Sequence, residues 1–164
     1  MKKGMIFVVF ALVLLLCSCE MPVSMTELLE YQKSDFSCSA ALAGKTETEL
    51  YIKSVGGKVI ISLPRAEYMV DTEFVFSQDG AEIICKGEKV PMENTGLQRL
   101  FIVYKMMTLD CTQLWRITSE KAGGISVYKC VSDDGYTVYI DEKTRLPFRF
   151  EGDGEVLNVK RMEW

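Results

Sequence analysis

The sequence of 164 residues contains no histidine. That absence removes Ser-His-Asp and Cys-His nucleophilic catalysis, together with the His-bearing catalytic zinc sites. No G-x-x-x-x-G-K-[ST], G-x-G-x-x-G or G-x-S-x-G pattern occurs either, so neither a phosphate-cradling loop nor a nucleophile elbow is available. Basic residues are outnumbered, 19 against 23 acidic, for a net charge of -4. Apart from Lys2-Lys3 and Lys160-Arg161 they stand singly, without the basic-and-aromatic face that nucleic acid requires, so no nucleic-acid partner is expected. Long apolar runs are lacking as well. The longest, Met5 to Leu16, would rise only about 18 Å as a helix, short of the roughly 30 Å hydrocarbon core.

Carboxylates are plentiful, and a glycosidase needs only two. The clustered ones have a plainer use: Asp133-Asp134-Gly135 and Gly152-Asp153-Gly154 are turn chemistry. Asp141-Glu142-Lys143 falls where a strand meets a loop, and "DDGYTVYIDE" lacks calcium-loop spacing. The expectation is a protein that is not an enzyme, with no catalytic residue, no metal site and no cofactor.

What is present begins at the N-terminus. Lys2 and Lys3 precede the apolar run, the layout of a secretory signal. The small-residue cleavage pattern of a soluble exported protein is missing, since no alanine occurs between Ala11 and Ala40. In its place, Leu16-Cys17-Ser18-Cys19 resembles the bacterial lipobox. The resemblance implies that Cys19 is alkylated with diacylglycerol and that a lipoprotein signal peptidase cuts before it. Cys17 fits less well, because bulky Leu16 precedes it where Ser18 precedes Cys19. Residues 1-18 are then a signal peptide, 19-23 a lipidated N-terminus and short tether, and 24-164 a single domain. Two acyl chains give stable attachment at roughly 0.8 kcal/mol per buried methylene. The expected location is the extracytoplasmic face of the cell membrane. Loss of residues 1-18 leaves 146 residues and removes two of the 19 basic groups but none of the 23 acidic ones, for a net charge near -6. Anionic lipid repels such a domain, so the lipid and not a basic patch must hold it. The tether Glu20 to Val23 spans about 14 Å at full extension.

Cys38, Cys85, Cys111 and Cys130 match no zinc spacing. Outside the cytoplasm they can form two disulfides, and a Cys111-Cys130 bridge would contribute roughly 3 kcal/mol. Equally, they can be buried small hydrophobes, since Cys38 shares the apolar phase of Phe36, Ala40 and Leu42.

Ser24 and Glu27 stand at capping-box spacing before Met25, Leu28 and Leu29, which predicts a short helix ending near Lys33. From Ser34 the texture becomes alternating strands. Gly56-Gly57, Gln78-Asp79-Gly80, Asp133-Asp134-Gly135 and Gly152-Asp153-Gly154 each separate two such runs, so an antiparallel meander is expected. One stretch departs from this rhythm. Leu97, Leu100, Phe101, Tyr104 and Met107 recur at helical spacing, while Ile102, Val103 and Met106 widen the apolar face until the helix must be largely covered. A curved sheet wrapped around it would supply the cover. The fold class is therefore α+β, mainly antiparallel β, with a curved sheet packed on one or two helices, which the resemblance given below makes a half-barrel.

The remaining apolar material has two readings. Phe74, Phe76, Tyr128, Tyr139, Phe148 and Phe150 fall on predicted strands, and Tyr104, Met106 and Met107 on the helix. They are either core or, for Phe74, Phe76, Tyr104, Met107, Tyr128, Tyr139 and Phe148, the lining of a cavity for an apolar ligand. The closing segment "YTVYIDEKTRLPFRFEGDGEVLNVKRMEW" resembles the LolA/LolB-like lipoprotein-carrier superfamily: a strand ending in Asp141, a loop with Leu146-Pro147, then two further strands. That resemblance implies an incomplete antiparallel barrel whose concave face, crossed by the helix near Leu97 to Leu109, holds acyl chains. The alternative is an envelope-sensing or protein-interaction module with a filled core and an envelope protein as its partner.

Overall fold

The alternation resolves into eleven strands in the computed structural model, which describes residues 23-44, 46-91 and 97-164. The signal segment and Cys19 lie outside the described residues. Six strands form a first meander: β1 (Phe36–Ala43), β2 (Thr48–Val55), β3 (Lys58–Ser62), β4 (Thr72–Ser77), β5 (Gly80–Cys85) and β6 (Glu88–Pro91). Five form a second: β7 (Trp115–Ala122), β8 (Ile125–Ser132), β9 (Thr137–Asp141), β10 (Pro147–Gly152) and β11 (Glu155–Glu163). Turn chemistry fixes the hairpins. Gly56 and Gly57 have φ of 56° and 76°, and Asp153 and Gly154 have 51° and 77°, the paired positive values that match the twist of antiparallel strands.

The two meanders join through their first and last strands. β1 lies antiparallel to β11, with Leu42 opposite Leu157 and Cys38 opposite Met162, across a register shift between Ser39 and Ala40. The result is one antiparallel sheet in the order β6-β5-β4-β3-β2-β1-β11-β10-β9-β8-β7. Period-two alternation puts Phe36, Cys38, Ala40 and Leu42 of β1 on the same face as Leu50 and Ile52 of β2 and Val138 and Ile140 of β9. These residues share one core cluster with Phe74 and Phe76 of β4, Cys130 of β8, Phe150 and Leu157. Strands so far apart in the sheet meet in one core only because the sheet curls around it. It remains open, with β6 and β7 at its edges among the described residues.

The predicted N-terminal helix is two shorter pieces. α1 (Met25–Leu28) is capped by Ser24, whose hydroxyl accepts the Glu27 N–H at 3.3 Å. A 3-10 turn over Glu30–Lys33 follows. The sequence helix near Leu97 to Leu109 is α2 (Gln98–Met107), ended by Thr108, whose hydroxyl donates to the Tyr104 carbonyl at 2.8 Å. Gln32 ties the two regions together, its side-chain amide donating to the Met107 carbonyl at 3.1 Å. Among the described residues no helix is long and apolar enough to cross a membrane.

Cys38, Cys85, Cys111 and Cys130 are free thiols in the structure. Cys38 and Cys130 are buried in the core, Cys111 is half-buried and Cys85 is exposed. Burial pushes the Cys38 and Cys130 thiols up to about 12.

Candidate apolar-ligand site

α2 crosses the concave face because Leu100, Val103, Met106 and Met107 form one apolar stripe along it. Val103 and Met106 are 0 % exposed, and Leu100 and Met107 nearly so. Tyr104 stacks on Phe76 of β4, ring centroids 5.7 Å apart at 21°, and Phe101 lies 6.4 Å from the same ring. Such aromatic pairs each add about 0.5–1.5 kcal/mol beyond area burial. From the other end, α1 contributes Leu28, also fully buried. The space between sheet and helices is thus occupied by side chains, and Phe74, Phe76 and Met107 are part of the packing.

The other candidates separate into two groups. Tyr128 lies on the concave side, half-buried against the core, with the Arg145 guanidinium 5.0 Å from its ring centroid. Tyr139 and Phe148 do not join it. Tyr139 stands between Val138 and Ile140, both in the core, so the pleat turns it to the opposite, convex face. Phe148 sits at the register shift between Pro147 and Arg149, and the shift turns it toward Tyr139, 6.2 Å away. The sequence grouped all seven as one lining; the structure brings five together and sends these two to the outside.

Sequence reasoning missed the cleft at the helix end of the concave face. An open cleft of about 420 Å³ lies where the first turn of α2 meets β1–β3, walled by Leu42, Leu63, Leu97 and Leu100 with Thr48 and Arg99 at its rim. Leu42 and Leu100 belong to the core, so the cleft leads directly onto the sheet–helix seam. Arg99 fastens this end of the helix. Its Nε and Nη2 donate to the two Glu155 carboxylate oxygens at 2.7 and 2.8 Å, while Nη1 and Nη2 reach the Thr46 hydroxyl and carbonyl at 3.0 and 2.9 Å. Those hydrogen bonds to Glu155 raise the Arg99 pKa further. Gly44 makes room for the arrangement, since a Cβ there would collide with the Glu155 carboxylate. Arg99 and Glu155 are 56 residues apart, and no spacing signal connects them.

A second polar group closes the β8–β9 end. The Tyr136 hydroxyl donates to Asp153, and the ring lies directly over Gly152. Burial, then the Asp153 hydrogen bond, raises the Tyr136 pKa. The Asp141 carboxylate instead accepts the Thr144 and Lys143 backbone N–H groups at 2.7 and 2.8 Å, which hold its pKa down and fix the β9–β10 turn. No group of three metal-ligating side chains occurs among the described residues.

Fold and site together define an open antiparallel half-barrel whose concave face is covered by helices, with a leucine-walled cleft beside the first turn of α2 among the described residues. Among solved structures the chain is similar to an uncharacterized conserved protein from Thermus thermophilus, at 10% identity and a TM-score of 0.53, covering 85% of this chain and 84% of that one. It is also similar to a LolA superfamily protein from Nitrosomonas europaea, at 11% identity and a TM-score of 0.47, covering 86% and 93%. At such identities the likeness is one of fold alone. No protein-family model and no curated protein matches the sequence.

Proposed function

We propose that this chain is a lipid-anchored, non-enzymatic binding protein of the extracytoplasmic membrane face, tethered through Cys19, that accepts an acyl chain or similar apolar group at the Leu42–Leu63–Leu97–Leu100 cleft. The observation that carries the reading is the continuity of that cleft with the sheet–helix seam, because Leu42 and Leu100 belong to both. An acyl chain entering there meets leucine walls and can extend inward where the first turn of α2 gives way. At its rim stand Thr48, Gln98 and the Arg99–Glu155–Thr46 fastening. The seam's own side chains fill the space when no ligand is present, so binding exchanges one set of apolar contacts for another.

The test is binding of a fluorescent fatty acid to the chain from Ser24 onward, which contains all the described helices and strands, with native mass spectrometry for co-purified lipid. Saturable binding abolished by Leu63→Glu, with the fold retained by circular dichroism, is the expected result. No binding and no co-purified lipid would defeat the reading. A second reading, a protein-interaction module, is favoured by one observation: Val103, Met106 and Leu28 already fill the concavity. Absence of lipid in the same experiment would leave that reading standing.

A further inference from the structure

β7 ends the sheet, and its outer edge has no partner strand among the described residues. The two edges differ. β6 is four residues long, fully exposed and finished by Pro91, the means by which proteins blunt an edge. β7 is eight residues long and pairs with β8 along its whole length, from Trp115 opposite Ser132 to Ala122 opposite Ile125. Trp115 and Ile117 pack against the core, whereas Arg116, Thr118 and Glu120 are exposed on the other face. Among the described residues Arg116, Glu120 and Lys121 enter no ion pair.

We propose that the β7 edge is a self-pairing surface, occupied by β7 of a second copy of this chain, antiparallel about a two-fold axis at Thr118. Charge complementarity selects both the occupant and the register. With Thr118 opposite its own copy, Arg116 stands opposite the partner's Glu120 and Glu120 opposite the partner's Arg116, so two unpaired ions on each chain become two cross-strand pairs. Trp115 lies opposite the partner's Lys121 in the same way, an ammonium beside an indole. Neighbouring registers lose this. Centring on Ile117 sets Arg116 against Thr118, and centring on Ser119 sets Glu120 against Thr118. A register centred between Thr118 and Ser119 would place Ile117 opposite Glu120, inverting the faces. The Thr118 register alone keeps core-facing positions opposite core-facing positions, matches the charges and uses nearly the whole strand.

The axis runs normal to the sheet at Thr118, so both concave faces, with the α1 segments that pack on them, face one direction. Two chains held in one membrane meet that geometry. Pairing of a single edge strand is a modest contact beside the roughly 1,200–2,000 Å² of a standard stable interface. Confinement to a surface therefore favours it over dilute solution.

The experiment is oxidative cross-linking of the full chain in the membranes that carry it, in a Cys85→Ser background to remove the exposed native thiol. Thr118→Cys places two thiols across the axis, with Cα atoms about 4.5–5.5 Å apart, within disulfide reach. Arg116→Cys places them four residues off register, about 14 Å apart along the strands, out of reach. A covalent dimer from Thr118→Cys and little from Arg116→Cys is expected. Adding Arg116→Glu to Thr118→Cys should lower the yield several-fold, and adding Glu120→Arg as well should restore it. No dimer from a folded Thr118→Cys chain, equal dimer from both cysteine positions, or no restoration by the double exchange would each overturn the proposal. Should Thr118→Cys not fold, sedimentation of the detergent-solubilised chain decides: Arg116→Glu must weaken self-association and the double exchange must recover it.

Discussion

Glu155→Ala tests whether the first turn of α2 is fastened as the geometry implies. The Glu155 carboxylate is 11 % exposed and receives two charge-assisted hydrogen bonds from Arg99, whose side chain is 34 % exposed. Hydrogen bonds to charged groups contribute about 1.5–3 kcal/mol each when well shielded. Exposed ion pairs contribute about 0–1 kcal/mol. A bidentate pair between those limits, with Thr46 still holding Arg99, predicts a loss of about 1–3 kcal/mol. The assay is urea unfolding followed by tryptophan fluorescence, with a double-mutant cycle against Arg99→Ala to isolate the pair. Gly44→Ala provides an independent perturbation, because its new methyl group must push the Glu155 carboxylate off Arg99 without removing any charge. Both variants should bind fatty acid more readily than the parent, since the same fastening guards the cleft. A loss below about 0.5 kcal/mol, within the range of neutral surface substitutions, together with unchanged ligand affinity, would refute the reasoning.

Four further outcomes are expected. Met106→Ala, at a fully buried position between sheet and helix, should cost about 2–5 kcal/mol in urea unfolding, and a cost near zero would mean that α2 is not seated there. Gly152→Ala forces the Tyr136 ring away from the strand beneath it and should cost about 1–3 kcal/mol, measured as a lowered thermal midpoint. Native-state alkylation should modify Cys85 quickly and Cys38 and Cys130 only on unfolding. Because burial raises the folded-state pKa of both buried thiols from 9.0 to about 12, the unfolded chain loses those protons first as pH rises. Their contribution to stability is intact below pH 9 and lost between pH 9 and 12; denaturant midpoints that do not fall across that window would contradict it.

Local elements were legible because their signals are local. Gly56-Gly57 announces a hairpin through the positive φ that both positions adopt, and the spacing of Leu100, Val103, Met106 and Met107 announces a covered helix. The subdivision near Leu29 was not legible, since apolar spacing does not distinguish an α turn from the 3-10 turn that follows it. β6 escaped because four fully exposed residues carry no alternation between inside and outside. Phe148 was misplaced for a related reason: a one-residue register shift changes the face of a side chain, and composition does not reveal where such a shift falls.

The sequence by itself determined which chemistry is absent, where the chain turns, which segments alternate and that one helix must be enclosed. Each of these follows from residue type or from spacing within a few positions. Only the tertiary structure decided that β1 closes against β11, that Arg99 meets Glu155, that the concavity is filled and that a leucine-walled cleft lies beside the first turn of α2. Those features depend on strand register and sheet curvature. They arise from many weak apolar contacts acting together between residues far apart in the chain, and no short stretch of sequence encodes the sum.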